Sequence, residues 1–144
     1  MEELIECMKR LFAVNFQYYT KAHGFHVNTV GPDFLEFHQL FSLVYEPAQE
    51  NIDMIGEKIR SIRGIAPFSL KRIMELGDIK DSAERPTALV MVRDLLADSQ
   101  TLMNHLEEVH DMAMENKQYG LVNFIEGVMD DLGKIMWKLR STTE

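Results

Sequence analysis

Apolar residues return every three or four positions from about Glu3 to His26, at Leu4, Met8, Leu11, Phe12, Phe16 and Tyr19, with no proline and no glycine before Gly24. That period predicts a long first helix. Asn28, Gly31 and Pro32 break it, and Asp33 followed by Glu36 has the form of a capping box opening a second helix, about Phe34 to Ile62. Its apolar face carries Phe34, Phe37, Phe41, Val44, Ala48, Ile52, Ile55 and Ile59. Pro47 removes a backbone donor in mid-run, yet the apolar phase continues across it, so the expectation is a bend and not an end. Gly64 stops this helix. Ser69 to Leu76 fits a short helix inside a crossover, and Thr87 then caps a third long helix, about Ala88 to Glu115. The face expected of that helix is Leu89, Val92, Leu96, Met103, Leu106, Val109 and Ala113. A fourth, about Leu121 to Leu139, presents Phe124, Ile125, Val128, Leu132, Ile135 and Met136.

Two long helices, a long crossover holding a short helix, and two more long helices predict an all-α fold. Among bundles with one long connection, that order is the ferritin-like four-helix arrangement. No internal repeat or low-complexity tract divides the 144 residues, so one domain spanning 1–144 is expected. Cys7 is the only cysteine, which excludes an intrachain disulfide and fits a reducing, cytoplasmic setting. No apolar run reaches the roughly 18 residues of a membrane span, and the acidic opening MEELIECMKR is unlike a secretory signal. A net charge of −8, with no basic arm and an ending RSTTE, argues against nucleic acid as a partner and for attraction of cations.

The chemistry concentrates between His23 and Gly64. This stretch holds three of the five histidines, His23, His26 and His38, and the carboxylates Glu46, Glu50, Asp53 and Glu57 at helical spacing. Acids spaced four, three and four apart share one helix face. A solvated face is the ordinary reading of such a run, but each adjacent pair repels by a few tenths of a kcal/mol, which a bound cation would relieve. Imidazoles and carboxylates together suit Fe(II) and related ions. His38 and Asp53, however, lie about 22 Å apart along one helix at 1.5 Å per residue. They can share an ion only if two copies of the helix cross antiparallel, with a twofold axis near Glu46 and Pro47. Either there is no site, or the site lies between subunits.

Other candidates carry less. Glu107 and His110 form the only Glu-x-x-His, whereas a di-iron centre inside a bundle needs two such motifs, so both read as structural or surface groups. The ten methionines fall mostly at core phase as packing residues, and Trp137 reads as a packing or interface anchor. Cys7 has no histidine nearby in sequence to make it a nucleophile, and no phosphate loop or cysteine zinc pattern occurs.

The run Lys21-Ala22-His23-Gly24-Phe25-His26, with Asn28, Gly31-Pro32, Phe34, His38, Phe41, Tyr45, Asp53, Glu57 and Arg60, closely resembles the signature of Dps proteins, the miniferritins. Gly64, Pro67, Leu70 to Glu75 and Trp137 extend the likeness over essentially the whole chain. The resemblance implies a hollow dodecamer built from twofold dimers. It implies that Fe(II) is oxidised by hydrogen peroxide or oxygen at sites shared between subunits, and that ferric mineral is stored inside. It carries the iron ligands and catalytic residues onto His26 and His38 of one subunit and Asp53 and Glu57 of its partner.

Three departures qualify the likeness. Ser42 stands where the family usually has an acidic ligand, Val27 stands where a tryptophan commonly follows the first ligand histidine, and the corner Glu115 to Gly120 lacks the usual acids of a threefold channel, for which Glu115 and Glu126 are the substitutes. The sequence thus predicts an iron-oxidising, iron-storing ferroxidase. The alternatives are a DNA-compacting protein and a shell with an inactive metal site.

Overall fold

The computed structural model describes residues 1–144 as five helices and no strands: α1 Glu2–Asn28, α2 Phe34–Ser61, α3 Leu70–Leu76, α4 Ala88–Glu115 and α5 Tyr119–Thr143. Helices α1 and α2 form one hairpin and α4 and α5 the other, joined through packing of α1 against α4; α3 lies on α1 within the crossover. The result is the ferritin-like four-helix bundle with a helix in its long connection. No helix is long and apolar enough to cross a membrane.

Most elements lie where the periodicity places them. Helix α2 runs unbroken through Pro47. Ser69 and Thr87 each accept an amide hydrogen at the start of α3 and α4, from Arg72 and Val90 respectively. The last helix exceeds its expected span at both ends, and at its C-terminal end no proline or glycine follows Gly133 to stop it.

Three expectations need correction. Asp33 is the N-cap of α2 but its side chain makes no capping bond, so the capping box does not form. Its backbone, at φ −104° and ψ 31°, lies outside the extended region from which a cap side chain reaches the helix amides. The Phe34 amide donates to the Gly31 carbonyl, and Phe37 donates to the Asp33 carbonyl as the first bond of the helix. Gly31 adopts φ +124°, a turn that only glycine enters without strain.

Leu89 is not on the core face; it is exposed, because the buried stripe of α4 runs through Met91, Leu95, Asp98, Leu102 and Leu106, a phase that includes an acid. Trp137 is 57% exposed, which leaves it as a surface ring and removes it from the packing of this chain.

Around these elements thirty buried apolar residues form one core drawn from α1, α2, α4, α5 and the crossover. Met8 and Met91 are inside it and Met103, Met112, Met129 and Met136 pack against it, whereas Met54, Met74 and Met114 are exposed. Cys7 is buried, and desolvation, with the charge of Glu108 next, pushes its thiol up to about 12. It is a packing residue and not a nucleophile.

Candidate metal centre

The interior of the bundle contains polar groups that find each other. Lys21 Nζ on α1 lies 2.8 Å from Asp98 Oδ2 on α4, and it also donates to the Lys80 carbonyl at 3.0 Å. Tyr18 and Ser99 hydrogen bond at 2.6 Å, and Asn15 Nδ2 donates to the Ala48 carbonyl at 2.9 Å. Burial raises the Asp98 carboxyl above its ordinary range, while the hydrogen bond and charge of Lys21 pull it back. The sequence pattern missed this cluster, although Asp98 and Ser99 falling on an otherwise apolar stripe is the signal that exposes it. Glu107 is exposed and His110 Nε2 is bonded to Glu126 Oε2 at 2.9 Å, so this Glu-x-x-His points to no interior centre. That bond also ties up Glu126, one of the two acids considered for an iron funnel.

At the hairpin end of α1 and α2 the picture changes. His26, in the last turn of α1, and His38, in the second turn of α2, stack with ring centroids 3.7 Å apart and planes inclined by 19°. Each is held by the other's backbone. His26 Nδ1 lies 2.6 Å from the His38 carbonyl oxygen, and His38 Nδ1 lies 2.7 Å from the His26 carbonyl oxygen. A carbonyl only accepts, so both Nδ1 atoms carry the hydrogen and donate, which places the lone pair of the uncharged imidazole on Nε2. A metal-binding imidazole needs this arrangement: one nitrogen fixed by a carbonyl, the other free to ligate.

The pair belongs to a longer column of rings. Phe34 stacks on the outer side of His38 at 5.0 Å, and Tyr45 lies 5.1 Å from His26. His23 in turn stacks on Tyr45 at 3.9 Å with planes inclined by only 4°, and its Nδ1 is 2.9 Å from the Tyr19 hydroxyl. Tyr19, His23 and His26 share one face of α1, which is why the hairpin brings them together against α2.

The carboxylates are elsewhere. Glu46, Glu50, Asp53 and Glu57 are exposed along α2, and none has an ion-pair or hydrogen-bond partner. Within one chain no three histidine, cysteine or acidic side chains converge to hold an ion. The structure therefore brings His26 to His38 but neither of them to Asp53 and Glu57, as the length of α2 requires. Ser42 donates its hydroxyl to the Gln39 carbonyl at 2.8 Å, which occupies its hydrogen within its own helix. Val27 is exposed.

The ferritin-like domain family matches residues 5–144. An uncharacterized low temperature-induced protein of Nostoc sp. is 32% identical over 143 residues, 98% of this chain and 80% of that protein. A DNA protection during starvation protein of Bacillus anthracis is 27% identical over 140 residues, covering 97% of this chain and 96% of the relative. Among solved structures, a Dps protein from Bacillus brevis superposes with a TM-score of 0.94 at 27% identity, over 99% of this chain and 96% of that one.

Proposed function

Since the chain belongs to the ferritin-like family, as a Dps-type miniferritin, we propose that it captures Fe(II) between twofold-related subunits and oxidises it with hydrogen peroxide or oxygen. The ferric product is stored as mineral within a hollow homo-oligomer, a dodecamer on the family pattern. Fe(II) is the substrate. His26 and His38 of one subunit supply neutral Nε2 donors, and Asp53 and Glu57 of the partner supply the negative charge that balances the ion. The observation that carries this reading is the reciprocal pair of Nδ1–carbonyl bonds, which leaves two imidazole lone pairs uncommitted, in a chain whose α2 acids Glu46, Glu50, Asp53 and Glu57 have no ion-pair partner.

The donor set fits Fe(II) chemically: two nitrogens and up to four carboxylate oxygens, with no thiolate to favour softer ions. Confinement and ligand geometry are the protein's contribution, and the redox chemistry belongs to the metal. Consuming iron and peroxide together suppresses hydroxyl radical, a way to protect DNA without touching it. That route suits a chain with net charge −8 better than compaction by direct contact does.

Subunit complementation tests the sharing. His38→Ala and Asp53→Ala proteins, each alone, lose peroxide-dependent Fe(II) oxidation while keeping helical circular dichroism. Reassembled together, the two variants regain part of it, because a mixed dimer has one site with both residues intact. Full activity of either variant alone, or no recovery on mixing, overturns the shared site.

A further inference from the structure

His38 is enclosed differently from His26. One face of its ring is covered by His26 at 3.7 Å and the other by Phe34 at 5.0 Å, and the planes are inclined by only 19° and 24°. His26 has no second flat neighbour, since Tyr45 and His23 meet it at 56° and 54°. The edge of the His38 ring is committed as well. Its Nδ1 donates to the His26 carbonyl, which lies in the last turn of α1 and accepts no backbone amide. That carbonyl is one of the acceptors a helix end leaves open, and His38 is its one donor.

Phe34 is the first residue of α2, and its amide donates to the carbonyl of Gly31 in the positive-φ turn. The apolar period puts this aromatic on the core face. In the structure it is half-buried and does not pack against the core cluster; its one ring contact is His38. A phenylalanine that serves an imidazole and not the core needs a reason of its own.

Resting on the reading of the site given above, we propose that Phe34 is a positioning residue for His38: its ring closes the outer face of the imidazole and holds the one orientation in which Nε2 is presented to Fe(II). A half-turn of the imidazole about Cβ–Cγ exchanges Nδ1 with Cδ2 and Nε2 with Cε1. The flipped ring loses its bond to the His26 carbonyl and offers carbon where the lone pair was, so it is dead as a donor. Clamped between two nearly parallel rings, His38 makes that half-turn only after Phe34 swings away. His26 faces the same requirement without a second flat ring, which makes Phe34 the feature specific to His38. Its effect is on the fraction of sites ready to bind, and a reduced ready fraction weakens apparent affinity without changing the bound state.

Ring orientation and metal affinity test it separately. The assembled, metal-free protein, isotopically labelled at its histidine nitrogens, is examined by solid-state nuclear magnetic resonance, with His38 assigned by comparison with His38→Gln. The wild type shows one form of His38, with hydrogen on Nδ1. Phe34→Leu adds a second form that lacks the carbonyl bond, and in anaerobic calorimetry it binds Fe(II) about 2- to 10-fold more weakly, the worth of one stacked ring pair. Its loss in Fe(II) oxidation falls on KM, with kcat at saturating Fe(II) unchanged. Phe34→Tyr, which keeps the ring, restores the single form and the affinity, and Leu35→Ala on the exposed neighbour behaves as wild type. If Phe34→Leu does not assemble, Phe34→Met carries the same comparison and the wild-type spectrum decides by itself: His38 in two forms overturns the proposal. So does a Phe34→Leu protein with one form and full affinity, or one whose losses Phe34→Tyr does not mirror in reverse. Wild type that binds no Fe(II) while His38 keeps a single form overturns the iron site and leaves the hold of Phe34 on the ring standing.

Discussion

Lys21 and His26 stand on the same helix, little more than one turn apart, and the molecule treats them in opposite ways. Lys21 reaches inward, where Asp98 neutralises it and the Lys80 carbonyl takes another of its hydrogens. His26 reaches the α1–α2 seam, where one nitrogen is fixed by the His38 carbonyl and the other has no partner in the chain. The same contrast divides the acids: Asp98 is buried and paired, whereas Asp53 and Glu57 are exposed and unpaired. The buried charges Lys21 and Asp98 neutralise each other, and the charges along the seam have no such partner. What remains open on the surface is complementary, two neutral nitrogen donors at one end of α2 and a line of negative charge toward the other. On the proposed reading, function belongs to the pairing of subunits, and stability to the single chain.

The largest expected effects come from breaking each region alone. Asp53→Asn should reduce peroxide-dependent Fe(II) oxidation to background while leaving the denaturation midpoint unchanged or slightly raised, because it relieves repulsion of a few tenths of a kcal/mol along α2. Lys21→Met should do the reverse. Stranding Asp98 in the interior costs about 3–5 kcal/mol in urea unfolding, and Lys21→Met combined with Asp98→Leu should recover most of it. If Asp53→Asn unfolds the protein, or Lys21→Met silences oxidation in chains that remain folded, the two regions are not separable.

A smaller effect sharpens the seam. Ser42→Glu adds a carboxylate one turn from His38, and calorimetric titration should then report a second Fe(II) per site. An unchanged stoichiometry would mean that some other feature limits occupancy.

The smallest effect concerns pH. The folded-state pKa of Asp98 is raised above its ordinary 3.8, mainly by desolvation. In the window from 3.8 up to the raised value the native chain holds a proton that the unfolded chain has lost, so this group's contribution to stability falls as pH rises through it. Asp98→Asn should remove that slope from urea unfolding measured across the window. A slope that persists would assign it to another acid.

The bundle was legible because its signals are local. Apolar phase carried α2 through Pro47, and Gly64, Ser69 and Thr87 each marked a boundary that the structure keeps. Asp33 shows where local reading stops: the residue types of a capping box were present, but the turn at Gly31 set a backbone angle from which the side chain could not cap. Leu89 is exposed where the pattern expected burial, and Asp98, which the pattern did not single out, is buried. Asp98 faces Lys21 of α1 across the contact between the two helices, and hydrophobicity along α4 alone does not contain the position of its partner.

By itself the sequence determined that His38 cannot meet Asp53 or Glu57 of its own chain. Helix rise is a constant of the backbone, so residue count fixes their separation before any packing is known. Only the tertiary structure decided which ring nitrogens are free and which rings touch. A tautomer depends on what faces the imidazole from the other helix, and that contact exists only once α1 and α2 have packed.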